Sequence, residues 1–227
     1  APTALERGRR LGSTQAQHCP AGADQRTPWR QCQCVLLRAL ANWSGAVAGL
    51  LLILSGGMNQ AAAPLPGDGD VWTIAPLPIT LQVPALLLTA LVCGHRSALL
   101  AAVAYLSLGL LELPVFHGGG GSSYLLDPGF GYLAGFVPAG WLAGKLARQS
   151  GMNDVLKLTG SAAVGLLVIQ LCGVLNLLLG ALAGRWRDDL LQLLVTYSLV
   201  PLPSQLLLCT AVAVVALGLR LLLLVQP

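Results

Sequence analysis

The sequence predicts an all-α integral membrane protein with six transmembrane helices, and three observations carry that prediction. Of 227 residues, 55% are hydrophobic and only 10% are charged, against about 25% charged residues in soluble chains. The apolar residues fall in blocks near the ~20-residue length that spans a bilayer. Between the third and fourth blocks, residues 118–121 are four consecutive glycines, which no helix runs through, because each costs roughly 1 kcal/mol relative to alanine. The net charge of +4 calls for no nucleic-acid partner, since the facing of the loops accounts for it.

In chain order, residues 1–34 are polar and basic, with Arg7, Arg9, Arg10, Arg26 and Arg30 against Glu6 and Asp24. They hold no apolar run that would make a signal peptide, and the expectation is a disordered cytoplasmic tail, although Arg-rich, acid-poor composition also fits an organellar transit peptide. Residues 35–227 are expected to form the membrane domain. The first span, 35–55, sets Ala41, Gly45 and Gly49 on one helical face. Such a face admits a second helix closely, from the same chain or from a partner protein. Residues 58–75 read as a Pro, Gly and Asp linker without a basic residue. The second span, 76–93, opens on Pro76, Pro78 and Pro84 with Gln82 among them; Pro84 should kink or delay its helix. Gly94, His95 and Arg96 turn the chain into the third span, 97–113, with Glu112 near its exit.

The fourth span, 129–147, carries Gly131, Gly135, Ala139 and Ala143 four apart, again a face for close packing. Lys145, Arg148 and Lys157 flank the next turn, and the fifth span, 158–182, contains Gln170 and Asn176. Amides buried there need hydrogen-bond partners. Residues 190–200 are too short to span and are followed by Pro201 and Pro203, so a short interfacial or re-entrant helix is expected. The last span, 204–225, begins with Gln205 and carries Arg220 near its far end.

Six spans put both termini on one side. The tail and the start of the first span, Arg96, Lys145 to Lys157, and Arg220 hold eleven of the thirteen Lys and Arg, leaving Arg185 and Arg187 for the opposite side. Both termini therefore face the cytoplasm. It follows that the glycine-rich loop, Asp68 and Asp70, Gln82 and Gln205 gather at the outer face, where a solute from outside would arrive. Irregular backbone between membrane helices is tolerated where it is buried or lines a wet cavity. With Tyr124, Asp127 and Tyr132 beside it, the loop is expected to be a pocket wall or lid rather than an exposed linker.

No catalytic or metal chemistry is expected. Ser122 and Ser123 lie near His117 in sequence, but nothing orients that histidine as a triad requires. The glycine run is not followed by Lys and Ser or Thr, so it is not a phosphate loop. Six cysteines, at 19, 32, 34, 93, 172 and 209, form no disulfide framework. Cys32 and Cys34 with His18 and Cys19 are a weak metal pattern.

Three stretches resemble one family. Pro78-Ile79-Thr80-Leu81-Gln82, Leu113-Pro114-Val115-Phe116 with the glycine run, and residues 127–136, Asp-Pro-Gly-Phe-Gly-Tyr-Leu-Ala-Gly-Phe, are similar to the BioY family, the substrate-binding S components of energy-coupling-factor (ECF) biotin transporters. The likeness covers about residues 35–225. It implies a multi-pass protein of the cell membrane, surrounded by lipid, that binds biotin from outside and works with a transmembrane coupling subunit and two ATPase subunits. It also implies that Ala41, Gly45 and Gly49 dock onto the coupling module. One departure matters: the family often has Leu-Pro-Gly-Asp, then Lys three residues later, where this chain has Leu202-Pro203-Ser204-Gln205 and Leu208. Gln205 supplies neutral hydrogen bonds only.

Biotin's demands then sort the residues. Phe116, Tyr124, Phe130 and Tyr132 are candidates for an apolar, aromatic wall. Asp127, Gln82, Asn176 and Gln205 suit the ureido group, with Tyr132 as a donor. Amides of Gly119 and Gly120 suit the carboxylate as an anion-binding nest; Arg185 and Arg187 either assist or anchor the interface beside Trp186. The alternatives are an S-component-like binder of another small vitamin, and a membrane enzyme without a recognisable catalytic motif.

Overall fold

Prolines decide where the second helix begins. Pro76 and Pro78 hold their preceding residues extended and offer no backbone N–H, so the chain runs as a strand before any helix starts. The computed structural model describes residues 28–66, 72–111, 116, 121–149, 154–186 and 189–223, with side chains described outside 28–35 and 60–78. In it β2 covers Trp72–Thr80 and α2 only Gln82–Cys93. The strand pairs antiparallel with β1, Gln60–Pro66, with an irregularity between Gln60 and Ala62. The expected linker is thus largely a hairpin, and the expected second span starts six residues later than Pro76. Asp68, Asp70, Gly119, Gly120, Glu112, Arg187 and the tail up to residue 27 lie outside the described residues.

The chain divides into two units, Ala1–Ala39 and Leu40–Pro227. Of the first, residues 28–39 are described, as the opening turns of α1, Pro28–Met58. All packing below belongs to the second unit. Its further helices are α3 His95–Leu110, α4 Phe130–Ala134, α5 Phe136–Leu146, α6 Val155–Leu182, α7 Leu190–Leu194 and α8 Leu202–Leu222. The fourth predicted span is therefore two helices that meet at Gly135.

Residues 190–200 depart from expectation. A wide π turn, Val195–Leu199, follows α7, and Val200 and Pro201 stay right-handed helical, so the chain runs on into α8. The reason is Pro201: it has no N–H, and in an α-helix its ring would strike the carbonyl four residues back. The wide turn, closed by Val200 N–H donating to Val195 O at 3.0 Å, accommodates it. What was expected as a re-entrant piece is part of one long helix. Among the described residues three helices are long and apolar enough to cross a membrane: Leu36–Met58, Val155–Leu182 and Leu190–Leu222; α2 and α3 are shorter apolar helices.

Helix α2 packs against α3, α5 and α8, and α6 against α4, α5 and α8. Without a hydrophobic drive between helices in lipid, small residues let backbones approach and gain dispersion contact. Ala98, Ala101 and Ala102 of α3, Ala139 and Ala143 of α5, and Ala213 and Ala216 of α8 are all fully buried. The predicted Gly131, Gly135, Ala139, Ala143 stripe is turned to α6: Asn176 occupies the place of a Cβ at Gly131, and the Ile169 backbone lies 3.0 Å from one at Gly135. Leu167, Leu171, Leu175 and Leu178 on the other side of α6 are exposed, as a lipid-facing stripe should be. In α1, Gly45 and Gly49 are buried against Cys93 and Ser97, and against Thr89, of the same chain, while Ala41 is exposed. The Ser97 hydroxyl also donates to Asn42 O at 3.1 Å.

Two arginines clasp the other end of α2. Helix C-termini leave carbonyls without partners, and cations there are favoured. Arg148 Nη2 donates to Cys93 O at 2.8 Å. The buried Arg220 donates from Nε to Leu91 O at 2.9 Å and from Nη2 to Ala147 O at 2.8 Å, so one side chain ties α8 to α2 and the end of α5.

Candidate ligand-binding site

Two groups of side chains meet at Gly129. The first rests on α3. The Phe116 ring fills the place where a Cβ of Gly109 would stand, which only glycine permits, and Gly121 N–H donates to Gly109 O at 2.8 Å. From there Phe116 meets Tyr105 edge-on, with ring centres 5.4 Å apart, and Tyr124 at 4.8 Å. Tyr105, fully buried, stacks on Phe136 at 6.2 Å and accepts a hydrogen bond from Gln82 Nε2 at 2.9 Å. Gln82 is thereby oriented, its amide lying against Gly57 of α1.

The second group spans α4, α6 and α8. Asp127 Oδ1 accepts the Gly129 N–H at 2.7 Å, a turn that starts α4 and leaves the second carboxylate oxygen for other donors. Asn176 Nδ2 donates to Pro128 O at 3.3 Å, tying α6 to that turn. Tyr132 lies flat in the notch of Gly173, shares a hydrogen bond with Ser198, and stacks on Tyr197 at 6.3 Å. Gln170 Nε2 donates to Gln205 Oε1 at 3.0 Å. At Gly129 a Cβ would stand 3.6 Å from both Tyr124 Oη and the Tyr197 ring, which is where the groups join.

Of the residues singled out by sequence, Gln82, Phe116, Tyr124, Asp127, Tyr132, Asn176 and Gln205 fall within these groups, and Phe130 is half-buried at the start of α4. Arg185 is exposed, whereas Trp186 folds onto Gly180 and donates to Leu177 O at 3.0 Å. Tyr105, Tyr197 and Ser198 join the site without a sequence motif that marks them, and Gln170 stands out in sequence only as an amide in need of partners. Tyr105 had one signal: a lone aromatic among the alanines and leucines of its span. Among the described residues no three His, Cys, Asp or Glu side chains gather to hold a metal ion; the Cys19, Cys32, Cys34 and His18 side chains lie outside those described. Phenols, amides and one carboxylate suit a ring-bearing ligand with N–H and C=O groups.

Burial raises the Tyr124 hydroxyl above the ordinary phenol value to about 12, and the Asp127 carboxylate and Tyr197 add to the rise. An unfolded tyrosine ionises at about 10. The stabilisation is thus fully present below about pH 10 and is lost as pH rises through about 12. Comparing phenolate absorbance of the parent with that of Tyr124→Phe should show no Tyr124 ionisation near pH 10 while the protein is folded. A Tyr124 step at that pH would contradict the burial described.

Comparison with known proteins adds to this geometry. The family model described as "BioY family" matches residues 46–224. A "Probable biotin transporter BioY" of Pyrococcus horikoshii is 40% identical over 102 residues, 44% of this chain and 59% of that protein. A "Biotin transporter BioY" of Thermotoga maritima is 36% identical over 104 residues, 45% of this chain and 62% of that protein. The matched segment spans about three fifths of the length of these curated relatives. The crystal structure of an S-component for biotin from an ECF-type ABC transporter superposes with a TM-score of 0.54 over 86% of this chain and 94% of that one. At 18% identity that likeness speaks for the fold.

Proposed function

The chain belongs to the BioY family, and on that footing we propose that it binds biotin and serves its uptake across the membrane as the substrate-binding subunit of an ECF-type transporter. The observation that carries the proposal is that the family match runs over every residue of the site, from Gln82 to Gln205. On this reading the chain crosses the membrane six times, through α1, α2, α3, α4 with α5, α6, and α7 with α8, with both termini cytoplasmic and the glycine-rich loop outside. Phe116, Tyr124, Phe130 and Tyr132 would wall the bicyclic ring, and Gln82, Asp127, Asn176 and Gln205 would meet its ureido group. Gly119 and Gly120 would meet its carboxylate. Two partner ATPase subunits would hydrolyse ATP, and a transmembrane coupling subunit would relay the resulting conformational change to this chain. Because Gly45 and Gly49 are filled by Cys93, Ser97 and Thr89, docking by the first helix would rest on Ala41 and its exposed neighbours.

Isothermal titration of purified, ligand-stripped protein with biotin, and with desthiobiotin and thiamine as comparators, tests this. Stoichiometric biotin binding is expected, with thiamine silent. Asp127→Ala removes both an acceptor and the turn that starts α4, so biotin should bind about 10- to 100-fold more weakly. No biotin binding by the folded parent would overturn the function, and the neutral Gln205 and Leu208 would then point to a different small vitamin.

A further inference from the structure

Gln170 is 7% exposed, deep on the inner face of α6. Its side-chain NH2 is committed to Gln205 Oε1 at 3.0 Å, which turns its carbonyl oxygen the other way. That oxygen, Oε1, is buried and has no hydrogen-bond partner among the described residues. Buried acceptors in native proteins are nearly always satisfied, and an exception needs an explanation. Gly173, on which Tyr132 lies, is one turn further along the same helix, and Gln205 stands on α8 opposite. Gln170 is therefore joined, through Gln205 and one turn from Gly173, to the polar group at α4, α6 and α8.

We propose that Gln170 is a ligand-binding residue whose Oε1 accepts one ureido N–H of the ligand, and that Gln205, besides meeting the ureido group itself, holds the Gln170 amide in that orientation. This assignment rests on the biotin reading above. A urea carries two N–H donors, and an acceptor already desolvated and oriented takes one of them without the cost of being stripped of water on binding. It also accounts for the pair of glutamines: the first presents the acceptor, and the second satisfies the NH2 that would otherwise be buried bare beside it.

The experiment titrates the parent, Gln170→Leu, Gln170→Glu and Gln205→Leu with biotin and with biotin methylated at each ureido nitrogen in turn, and records thermal unfolding of each protein without ligand. Gln170→Leu should bind biotin about 10- to 100-fold more weakly, the scale of one lost buried hydrogen bond, without a lower unfolding temperature. Gln170→Glu, which keeps the acceptor, should bind within about tenfold of the parent. Methylation at one of the two nitrogens should weaken the parent by a similar factor and weaken Gln170→Leu no further. Biotin binding by Gln170→Leu within threefold of the parent would overturn the assignment while leaving the function intact. So would equal losses in the Leu and Glu variants. If Gln170→Leu does not fold, the Glu variant and the methylated ligands on the parent decide, and a parent indifferent to methylation at both nitrogens overturns the proposal. A folded parent that ignores biotin overturns the function and this assignment together.

Discussion

Gly173→Val is expected to abolish biotin binding, with at least a 100-fold loss, although residue 173 bears no group that could touch ligand. The Tyr132 ring occupies the place where any side chain at this position would stand, and α6 backbone cannot yield to it. The ring must leave, and with it go its hydrogen bond to Ser198 and its stack on Tyr197. An overpacked site of this kind also loses about 1–3 kcal/mol of stability. Titration together with thermal unfolding separates the two effects: the variant should fold, unfold a few degrees earlier, and bind nothing measurable. Binding within threefold of the parent would mean that Tyr132 is not part of the ligand site.

Arg220→Leu should act the other way round, on stability rather than on the site. The buried guanidinium serves Leu91 O and Ala147 O at once, and leucine leaves both helix-end carbonyls bare. We expect roughly 3 kcal/mol of destabilisation, the scale of losing charge-assisted bonds in a buried setting. Arg220→Lys should recover only part of it, since an ammonium cannot reproduce the fork. Unfolding in detergent reads this directly; an Arg220→Leu protein that unfolds within a degree of the parent would show that the clasp contributes nothing. The biotin affinity of the folded fraction should not change.

How much of this was legible in the sequence depended on how local the cause was. Helix α6 is readable almost to its ends, because a long, mainly apolar block without proline is a local signal. So is the packing face of Gly131, Gly135, Ala139 and Ala143, whose spacing alone defines it. The start of the second helix is not legible because hairpin pairing with residues 60–66 competes for residues 72–80, and no local rule weighs a strand partner. Pro201 reads as a helix stop because the sequence does not say that a wide turn will absorb it. In the site, residue types were recognisable and pairings were not: Gln82 with Tyr105 is a separation of 23 residues, Gln170 with Gln205 of 35 and Tyr132 with Ser198 of 66. Those separations are closed by helix packing, so an amide could be marked as needing a partner without its partner being named.

The wide turn at Val195–Leu199 also acts as a phase correction. In an α-helix, five residues correspond to about 500° of rotation, so Leu193 and Ser198 would point roughly 140° apart. Both are only 7% exposed, because the extra residue in the π turn brings them back onto one side. From Ser198 onward the inward positions follow ordinary α spacing through Cys209, Val212 and Ala216. The helix is thus two cylinders of different phase joined end to end, and the joint, not the side chains alone, decides which of them looks inward. A homologue lacking one residue here would keep the composition of this helix and yet turn one end of its inward face towards lipid.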